Sequence, residues 1–210
     1  MTEHHLLVQR TARYVTLGPP RNARSVWFVL HGYGQLAAYF LRHFQPLDDG
    51  SRLFVAPEAL SRFYIRPYTR VGASWMTKEA RQAEIDDYLG YLDAVYDRIF
   101  AEQDRATTTV TLLGFSQGAT TASRWAALGR SRFDRLICWA GDLAHDLDLD
   151  AHGPALPPLT IVAGTDDEYI PPDRLAEVEA RLQRHGLAYD LIRFEGDHRL
   201  HADTLLLLAG

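Results

Sequence analysis

The sequence predicts an α/β fold, with a mostly parallel central sheet and helices on both of its faces. Short apolar runs alternate along the chain with segments whose apolar residues recur at helical spacing, as in repeated strand and helix units. The run at residues 25–30 is apolar after Ser25, as expected for a strand covered on both faces. The chain has 210 residues and is 47% hydrophobic, enough for one sizeable core. We therefore expect a single domain over residues 1–210.

The composition excludes several classes of partner. The net charge is -5 and no run of Lys or Arg is present, so nucleic acid is not an expected partner. No apolar run approaches the length of a membrane span, so stable membrane insertion is not expected. Cys138 is the only cysteine, which excludes an internal disulfide and is consistent with a reducing compartment. We expect a cytoplasmic protein, and the oligomeric state stays open.

The strands are predicted from the apolar runs. Residues 6–10 and 14–17 are expected to pair as a hairpin at one edge of the sheet. Further strands are predicted at residues 25–30, 52–56, 107–113, 136–140, 159–163 and 189–194. Because helical segments separate the later strands, these are expected to run parallel through right-handed crossovers.

Helices are predicted where apolar residues recur every three or four positions. Thr77 is expected to cap a long helix that packs on the sheet through Ile85, Leu89, Leu92, Tyr96 and Ile99. Further helices are predicted after the loop at 31–35, at residues 119–128, at 172–185 and at about 199–208.

Residues 58–74 break this pattern with aromatic residues, arginines, Pro67 and Gly72. We expect a long loop there, and loops of this length in compact domains are often functional. Its aromatic side chains either line a substrate pocket or pack the loop onto the core. Since the loop enters the next helix from the catalytic edge of the sheet, we expect Trp75 to line the pocket.

The pentapeptide Gly114-Phe115-Ser116-Gln117-Gly118 lies between a predicted strand and a predicted helix. A G-x-S-x-G sequence in this context indicates a nucleophile elbow, a turn so tight that small residues are needed on both sides of the serine. The alternative is an ordinary glycine turn with an inert serine. The strand before it and the helix after it favour the elbow, with Ser116 as nucleophile.

A serine nucleophile needs a base to take its proton and an acid to orient that base. Candidates for both follow predicted strands in the required chain order, serine, acid, histidine. Asp166 and Asp167 come after the strand at 159–163, and both fit the spacing. His198 comes directly after the strand at 189–194, whereas His201 shares helical spacing with the residues that follow it.

The loop His31-Gly32-Tyr33-Gly34 follows the buried strand at 25–30. Its glycines let the backbone approach a ligand closely, so Gly32 is a candidate substrate-binding residue. The backbone N–H groups of Tyr33 and Gln117 are the expected oxyanion hole. We expect His31 to brace the loop through hydrogen bonds, because it precedes the nucleophile in the chain.

Four segments together carry a family resemblance: His31-Gly32-Tyr33-Gly34, Gly114 to Gly118, Gly164-x-x-Asp167-x-x-Ile170-Pro171 and Gly196-x-His198. The chain resembles the phospholipase/carboxylesterase family of α/β hydrolases, which includes acyl-protein thioesterases and small bacterial esterases. The resemblance implies an α/β-hydrolase fold, Asp167 as the acid, and hydrolysis of carboxylic esters or thioesters without a cofactor. Asp197 replaces a glycine common in the last motif, and residues 61–76 depart from the thioesterase pattern.

The leading interpretation is therefore a serine carboxylesterase with Ser116, Asp167 and His198 as its triad, acting on short- to medium-chain esters. The alternatives are an acyl thioesterase or lysophospholipase on the same triad, since fold and triad do not set the acyl group. A third alternative is a hydrolase-fold protein that binds a small ligand without turnover. An acidic run at 142–152 could suggest a metal site, but a solvated loop is the commoner outcome and no metal is expected.

Overall fold

The computed structural model describes residues 1–210. The strands are β1 Tyr14–Leu17, β2 Ser25–Leu30, β3 Arg52–Pro57, β4 Ser61–Ile65, β5 Arg70–Ser74, β6 Thr109–Phe115, β7 Arg135–Trp139, β8 Leu159–Gly164 and β9 Tyr189–Phe194. The α-helices are α1 Ala37–Phe40, α2 Arg81–Phe100, α3 Gln117–Leu128, α4 Leu149–His152, α5 Pro172–Arg184 and α6 Ala202–Ala209. Two 3₁₀ segments, Leu41–Leu47 and Gly153–Ala155, follow α1 and α4.

Seven strands form the central sheet in the order β1-β3-β2-β6-β7-β8-β9. Only β1 is antiparallel to its neighbour, so the predicted mostly parallel sheet is confirmed. The chain adds β3 on one side of β2 and later adds β6 on the other side. This reversal places a crevice at the carboxyl ends of β2 and β6, where ligands bind in open α/β sheets.

Helices cover both faces of the sheet, as predicted. The side chains of β2 alternate between the two faces: Val26, Phe28 and Leu30 join the core under α2, α3 and α5, while Trp27 and Val29 join the core under α1 and α6. This alternation explains why a central strand is apolar along its whole length. None of the helices combines the length and the apolar character that a membrane crossing requires.

The predicted N-terminal hairpin is wrong. Residues 6–10 form no strand, and Leu6, Leu7 and Val8 are exposed. β1 pairs instead with β3, from Tyr14↔Pro57 to Leu17↔Phe54. At the edge of β3, the backbone of β1 finds hydrogen-bond partners next to a hydrophobic core. An isolated two-stranded hairpin in water has no such core.

The long loop predicted at 58–74 is also wrong, because β4 and β5 form an antiparallel hairpin there, from Ser61↔Ser74 to Ile65↔Arg70. Pro67 lies in its turn, where the N–H of Tyr68 donates to the carbonyl of Ile65 at 2.7 Å. The two strands form their own small sheet outside the central one. The cap over the site is therefore ordered by strand pairing.

The long helix begins later than predicted. α2 starts at Arg81, and Thr77 caps a preceding turn in which its Oγ1 accepts a hydrogen bond from the N–H of Glu79 at 3.1 Å. Ala80 has φ 43°, so its left-handed backbone separates that turn from the helix. The predicted buried face is present, since Ile85 and Leu92 lie in the core.

We expect Leu205→Ala to lower the free energy of unfolding by about 2–5 kcal/mol, because Leu205 is 1% exposed and fills the core beneath α6. Leu207 lies on the same helix and is 70% exposed, so Leu207→Ala should change the free energy by less than about 0.5 kcal/mol. Urea unfolding followed by circular dichroism measures both. Equal losses from the two variants would contradict the assigned packing of α6.

Candidate active site

Ser116 occupies a strained turn between β6 and α3, with φ 55° and ψ -120°. Positive φ is uncommon for a residue other than glycine and marks functional sites when the surrounding structure enforces it. A Cβ atom on Gly114 would lie 2.1 Å from the carbonyl oxygen of Gly118, and one on Gly118 would lie 2.3 Å from that of Leu30. Only glycine fits at either position, so the backbone has the geometry that the G-x-S-x-G sequence predicts.

Asp167 and His198 meet where β8 and β9 end. The His198 Nδ1 atom lies 2.8 Å from Oδ2 and 3.0 Å from Oδ1 of Asp167. The carboxylate is fully buried and accepts two backbone hydrogen bonds, from Tyr169 N at 2.9 Å and Ile170 N at 3.2 Å. With Nδ1–H directed at this carboxylate, Nε2 is left free to exchange a proton.

The imidazole ring of His198 packs against a residue of the elbow. Its ring packs on Phe115, the residue before Ser116, with 5.0 Å between ring centroids, and on Tyr169 at 4.6 Å. The hydrogen bonds of His198 go to Asp167, and none joins it to Ser116. The hydrogen bond between nucleophile and base is often long or poorly aligned before substrate binds. Its absence here is therefore compatible with a proton transfer from serine to histidine.

The neighbouring candidates lie outside this pair. Asp166 is exposed, its N–H donates to the carbonyl of Gly196 at 2.9 Å, and its carboxylate accepts from the Thr165 hydroxyl at 3.4 Å. His201 is the residue before α6, where its Nδ1 lies 3.0 Å from the Thr204 hydroxyl. The pair therefore consists of Asp167 and His198.

The loop after β2 approaches the elbow and is held by the β4–β5 hairpin. Gly34 N–H donates to the carbonyl of Ala73 at 2.9 Å, and Ala73 N–H donates to the carbonyl of Gln35 at 3.1 Å. A Cβ atom on Gly72 would lie 2.5 Å from the oxygen of Gly34, so the two backbones are in direct contact. The N–H groups of Tyr33 and Gln117 have no protein acceptor and are available to a ligand.

Hydrogen bonds of His31 and Gly32 stabilise the conformation of this loop. The buried His31 ring donates from Nδ1 to the Gly32 carbonyl at 2.8 Å, and Nε2 accepts from Ala59 N at 3.1 Å. Burial lowers the pKa of His31 to about 4, so the ring is neutral at pH 7. The predicted bracing role of His31 is confirmed. The N–H of Gly32 donates to Gln35 Oε1 at 2.8 Å, so this amide is occupied within the protein.

The side chain of Gln117 fixes the segment that follows β5, a role the sequence did not reveal. Its Oε1 accepts from Trp75 N at 3.1 Å, and its Nε2 donates to the Met76 carbonyl at 2.9 Å and to the Ser74 hydroxyl at 3.1 Å. The residue after the elbow serine is thereby tied to the chain that enters α2.

Trp75 does not line a pocket, which corrects the expectation from the sequence. It is 2% exposed, and its indole Nε1–H donates to the His31 carbonyl at 2.8 Å. Its ring lies between those of His31 and Tyr88, at 5.1 and 6.3 Å between centroids. Because α2 covers this segment, the aromatic ring is part of the core beneath the loop.

Two clefts open beside the elbow and the loop after β2. The larger, of about 680 Å³, begins at Gly34 and is lined mainly by α1 and the tip of the hairpin, including Tyr39, Phe40 and Val71. The smaller, of about 240 Å³, borders Gln117 and is lined mostly by polar and charged residues. No sequence pattern indicates the smaller cleft, because its side chains come from separate parts of the chain.

The carboxylates of the acidic run are engaged in local structure. Asp148 accepts from the N–H groups of Asp150 and Ala151 and so caps α4. Asp146 forms ion pairs with Arg81 and Arg124, and Asp142 forms one with Arg181. Asp150 lies within hydrogen-bonding distance of His185, with 2.6 Å between its Oδ1 and the ring Nδ1. Each of these carboxylates therefore has a partner within the protein.

The fold and elbow define the class of protein as an α/β hydrolase. The model of the family described as "Serine hydrolase (FSH1)" matches residues 26–203, and the chain therefore belongs to the FSH1 serine hydrolase family. The superfamily inferred from the four sequence motifs is thus confirmed. No curated protein sequence matches the chain.

Several solved structures share the fold. Esterase PE8 is 23% identical with a TM-score of 0.73, and the match covers 95% of this chain and 97% of that one. Acyl-protein thioesterase 2 of Zea mays is 14% identical with a TM-score of 0.71, covering 95% and 96%. A phospholipase/carboxylesterase of Dyadobacter fermentans DSM 18053 is 22% identical with a TM-score of 0.65, covering 97% of both chains.

We expect the buried His31 to make the protein less stable in acid. Its folded-state pKa of about 4 lies below the usual 6.5, so its contribution is complete above about pH 6.5 and is lost as the pH falls towards 4. The loss should reach about 3 kcal/mol. His31→Gln should remove this part of the pH dependence, measured by urea unfolding from pH 7 to 4. His5→Gln, at an exposed position, should keep it; the same slope in all three proteins would contradict the assignment.

Proposed function

We propose that this serine hydrolase is a carboxylesterase that cleaves short- to medium-chain carboxylic esters through an acyl-enzyme intermediate. The observation that carries the proposal is the pairing of the buried Asp167 carboxylate with His198, 2.8 Å apart, beside the strained elbow that holds Ser116. A serine, a histidine and a buried acid in this arrangement suit acyl transfer.

In the proposed reaction, the Ser116 hydroxyl attacks the acyl carbon and His198 Nε2 takes its proton. Asp167 stabilises the resulting imidazolium and keeps Nδ1 protonated. The imidazolium then gives its proton to the departing alkoxide, and the alcohol leaves. A water molecule, deprotonated by the same histidine, attacks the acyl-enzyme, and the acid is released with Ser116 restored.

The negative oxygen that forms at the acyl carbon would be bound by the N–H groups of Tyr33 and Gln117. Both groups lack a protein acceptor, and the loop that carries Tyr33 and the helix start that carries Gln117 are held by backbone contacts. Donors fixed in place before the reaction cost no reorganisation when the charge develops, and loss of one such donor typically lowers turnover by ~10²–10³.

The small extent of the cap supports the short or medium acyl group. Gly34, next to one proposed oxyanion donor, lines the cleft of about 680 Å³, and Gln117 lines that of about 240 Å³. The cap above them is a hairpin with strands of five residues each.

The buried, unpaired Cys138 supports the cytoplasm as the proposed location.

A fluorophosphonate should label Ser116 covalently, and Ser116→Ala should abolish both the labelling and hydrolysis of p-nitrophenyl butyrate. Mass spectrometry of the labelled peptide identifies the residue. Ser123→Ala is the control, because Ser123 lies on α3 with its hydroxyl bonded to the Thr120 carbonyl. Labelling of another serine, or unchanged turnover in Ser116→Ala, would refute the esterase proposal.

A panel of p-nitrophenyl esters from acetate to palmitate, run beside an acyl-CoA, tests the substrate class in the same preparation. We expect kcat/KM to be highest for short or medium chains. A preference for palmitate, or for the thioester, would replace the proposal by a lysophospholipase or thioesterase. Labelling without turnover of any substrate would favour a protein that binds a ligand without hydrolysis.

We expect Asp167→Asn and His198→Ala each to lose at least ~10³ in kcat, because the acid that fixes the histidine tautomer is worth ~10⁴ in serine proteases. The controls are the adjacent candidates: Asp166→Asn and His201→Ala should stay within about tenfold of the parent. Steady-state kinetics with circular dichroism to verify folding compares the four. If Asp166→Asn lost more than Asp167→Asn, the acid assignment would be reversed, and the same comparison decides the histidine.

A further inference from the structure

The smaller cleft lies beside the elbow and is lined mostly by polar and charged residues. Its volume is about 240 Å³, and Met76 is its one apolar wall, the others being Arg81, Gln117, Thr120, Thr121, Arg124 and His145. Thr120 and Thr121 lie one helical turn beyond Gln117, which corresponds to about 5 Å along α3. A group attached to an acyl carbon at Ser116 could therefore reach it through a spacer of two or three atoms.

The cleft has an excess of positive charge. Arg81 and Arg124 share a single carboxylate, that of Asp146, with Nη2 atoms 2.7 Å from Oδ2 and Oδ1 respectively. The two guanidinium groups stay ionised at any relevant pH, so one positive charge is left uncompensated between them. The Arg124 side chain is 4% exposed, and charges removed from water in this way are screened little by salt.

Part of the hydrogen-bonding capacity of these arginines is directed at a weak acceptor. Nη1 of Arg81 lies 3.8 Å from the sulfur of Met76, and Nη1 of Arg124 lies 3.4 Å from the same sulfur. A thioether accepts hydrogen bonds poorly. A carboxylate that displaced this contact would form charge-assisted hydrogen bonds and cancel the excess charge.

We propose that this cleft binds a carboxylate carried by the substrate, so that the preferred substrates are esters with a second, anionic carboxyl group a few bonds from the scissile ester. The inference rests on the proposed esterase function and defines its substrate class. The carboxylate belongs either to the acid half or to the alcohol half of the ester, and the recognition chemistry is the same in both cases.

Two pairs of matched esters test the proposal. In the first, monomethyl succinate is compared with methyl 4-methylpentanoate, in which an isopropyl group replaces the carboxylate. In the second, 3-acetoxypropanoate is compared with 3-methylbutyl acetate, which places the same exchange on the alcohol half. Acid release in a pH-stat gives kcat/KM for all four.

We expect the carboxylate-bearing ester to be preferred by at least about tenfold in one of the two pairs, the effect of a charge-assisted hydrogen bond. The pair that shows the preference identifies the half of the ester that enters the cleft. Arg81→Gln should reduce this ratio by about tenfold, mainly by raising KM, and Arg81→Lys should retain most of it. Arg98→Gln removes the same charge from an exposed site on α2 and should leave the ratio unchanged.

The outcomes separate this inference from the proposed function. Hydrolysis of both neutral esters without a preference for either carboxylate would overturn the anion site and leave the esterase function intact. A preference that Arg98→Gln abolishes as fully as Arg81→Gln would also overturn it, because it would reflect bulk charge. If no ester is cleaved although a fluorophosphonate labels Ser116, the inference is wrong; if Ser116 is not labelled either, the proposed function fails with it.

Discussion

The first turn of α3 packs backbone to backbone against the end of β2, and the geometry of the site depends on this contact. A Cβ atom on Gly118 would lie 2.3 Å from the oxygen of Leu30 and 2.7 Å from that of His31. Because Gly118 has no side chain, the segments that follow the neighbouring strands β2 and β6 can come into contact. As a result, the N–H of Tyr33 in the loop after β2 and the N–H of Gln117 at the start of α3 lie on segments in direct contact, although 84 positions separate them in the chain.

The surrounding elements hold that contact in place. The hairpin pairs with the loop through Gly34 and Ala73, while the Gln117 side chain bonds to the segment from Ser74 to Met76. Trp75 fills the space beneath, with its indole N–H on the His31 carbonyl. The side-chain amide of Gln117 and the indole of Trp75 both have their polar atoms hydrogen-bonded inside the protein. Fully hydrogen-bonded polar groups make a site rigid where the dielectric constant is low. The cap and the elbow therefore form one unit.

The acid and the base depend on a second close approach, between the ends of β8 and β9. A Cβ atom on Gly164 would lie 2.3 Å from the oxygen of Gly196, and Thr165 N–H donates to the Phe194 carbonyl at 2.9 Å. This junction brings Asp167 and His198 together across two loops. The carboxylate stays buried because two backbone N–H groups and the imidazole satisfy it.

The sequence by itself determined the parallel sheet, the elbow and the order of the chemical groups, because buried strands require continuous apolar runs and a tight turn requires glycine at fixed positions. Tertiary structure decided the rest. Residues 58–74 became a hairpin and Trp75 a core residue through contacts with the loop after β2 and with α2. The cleft of Arg81 and Arg124 likewise joins side chains 43 positions apart around Asp146. Such features arise from contacts between distant segments, and local periodicity carries no information about which segments meet.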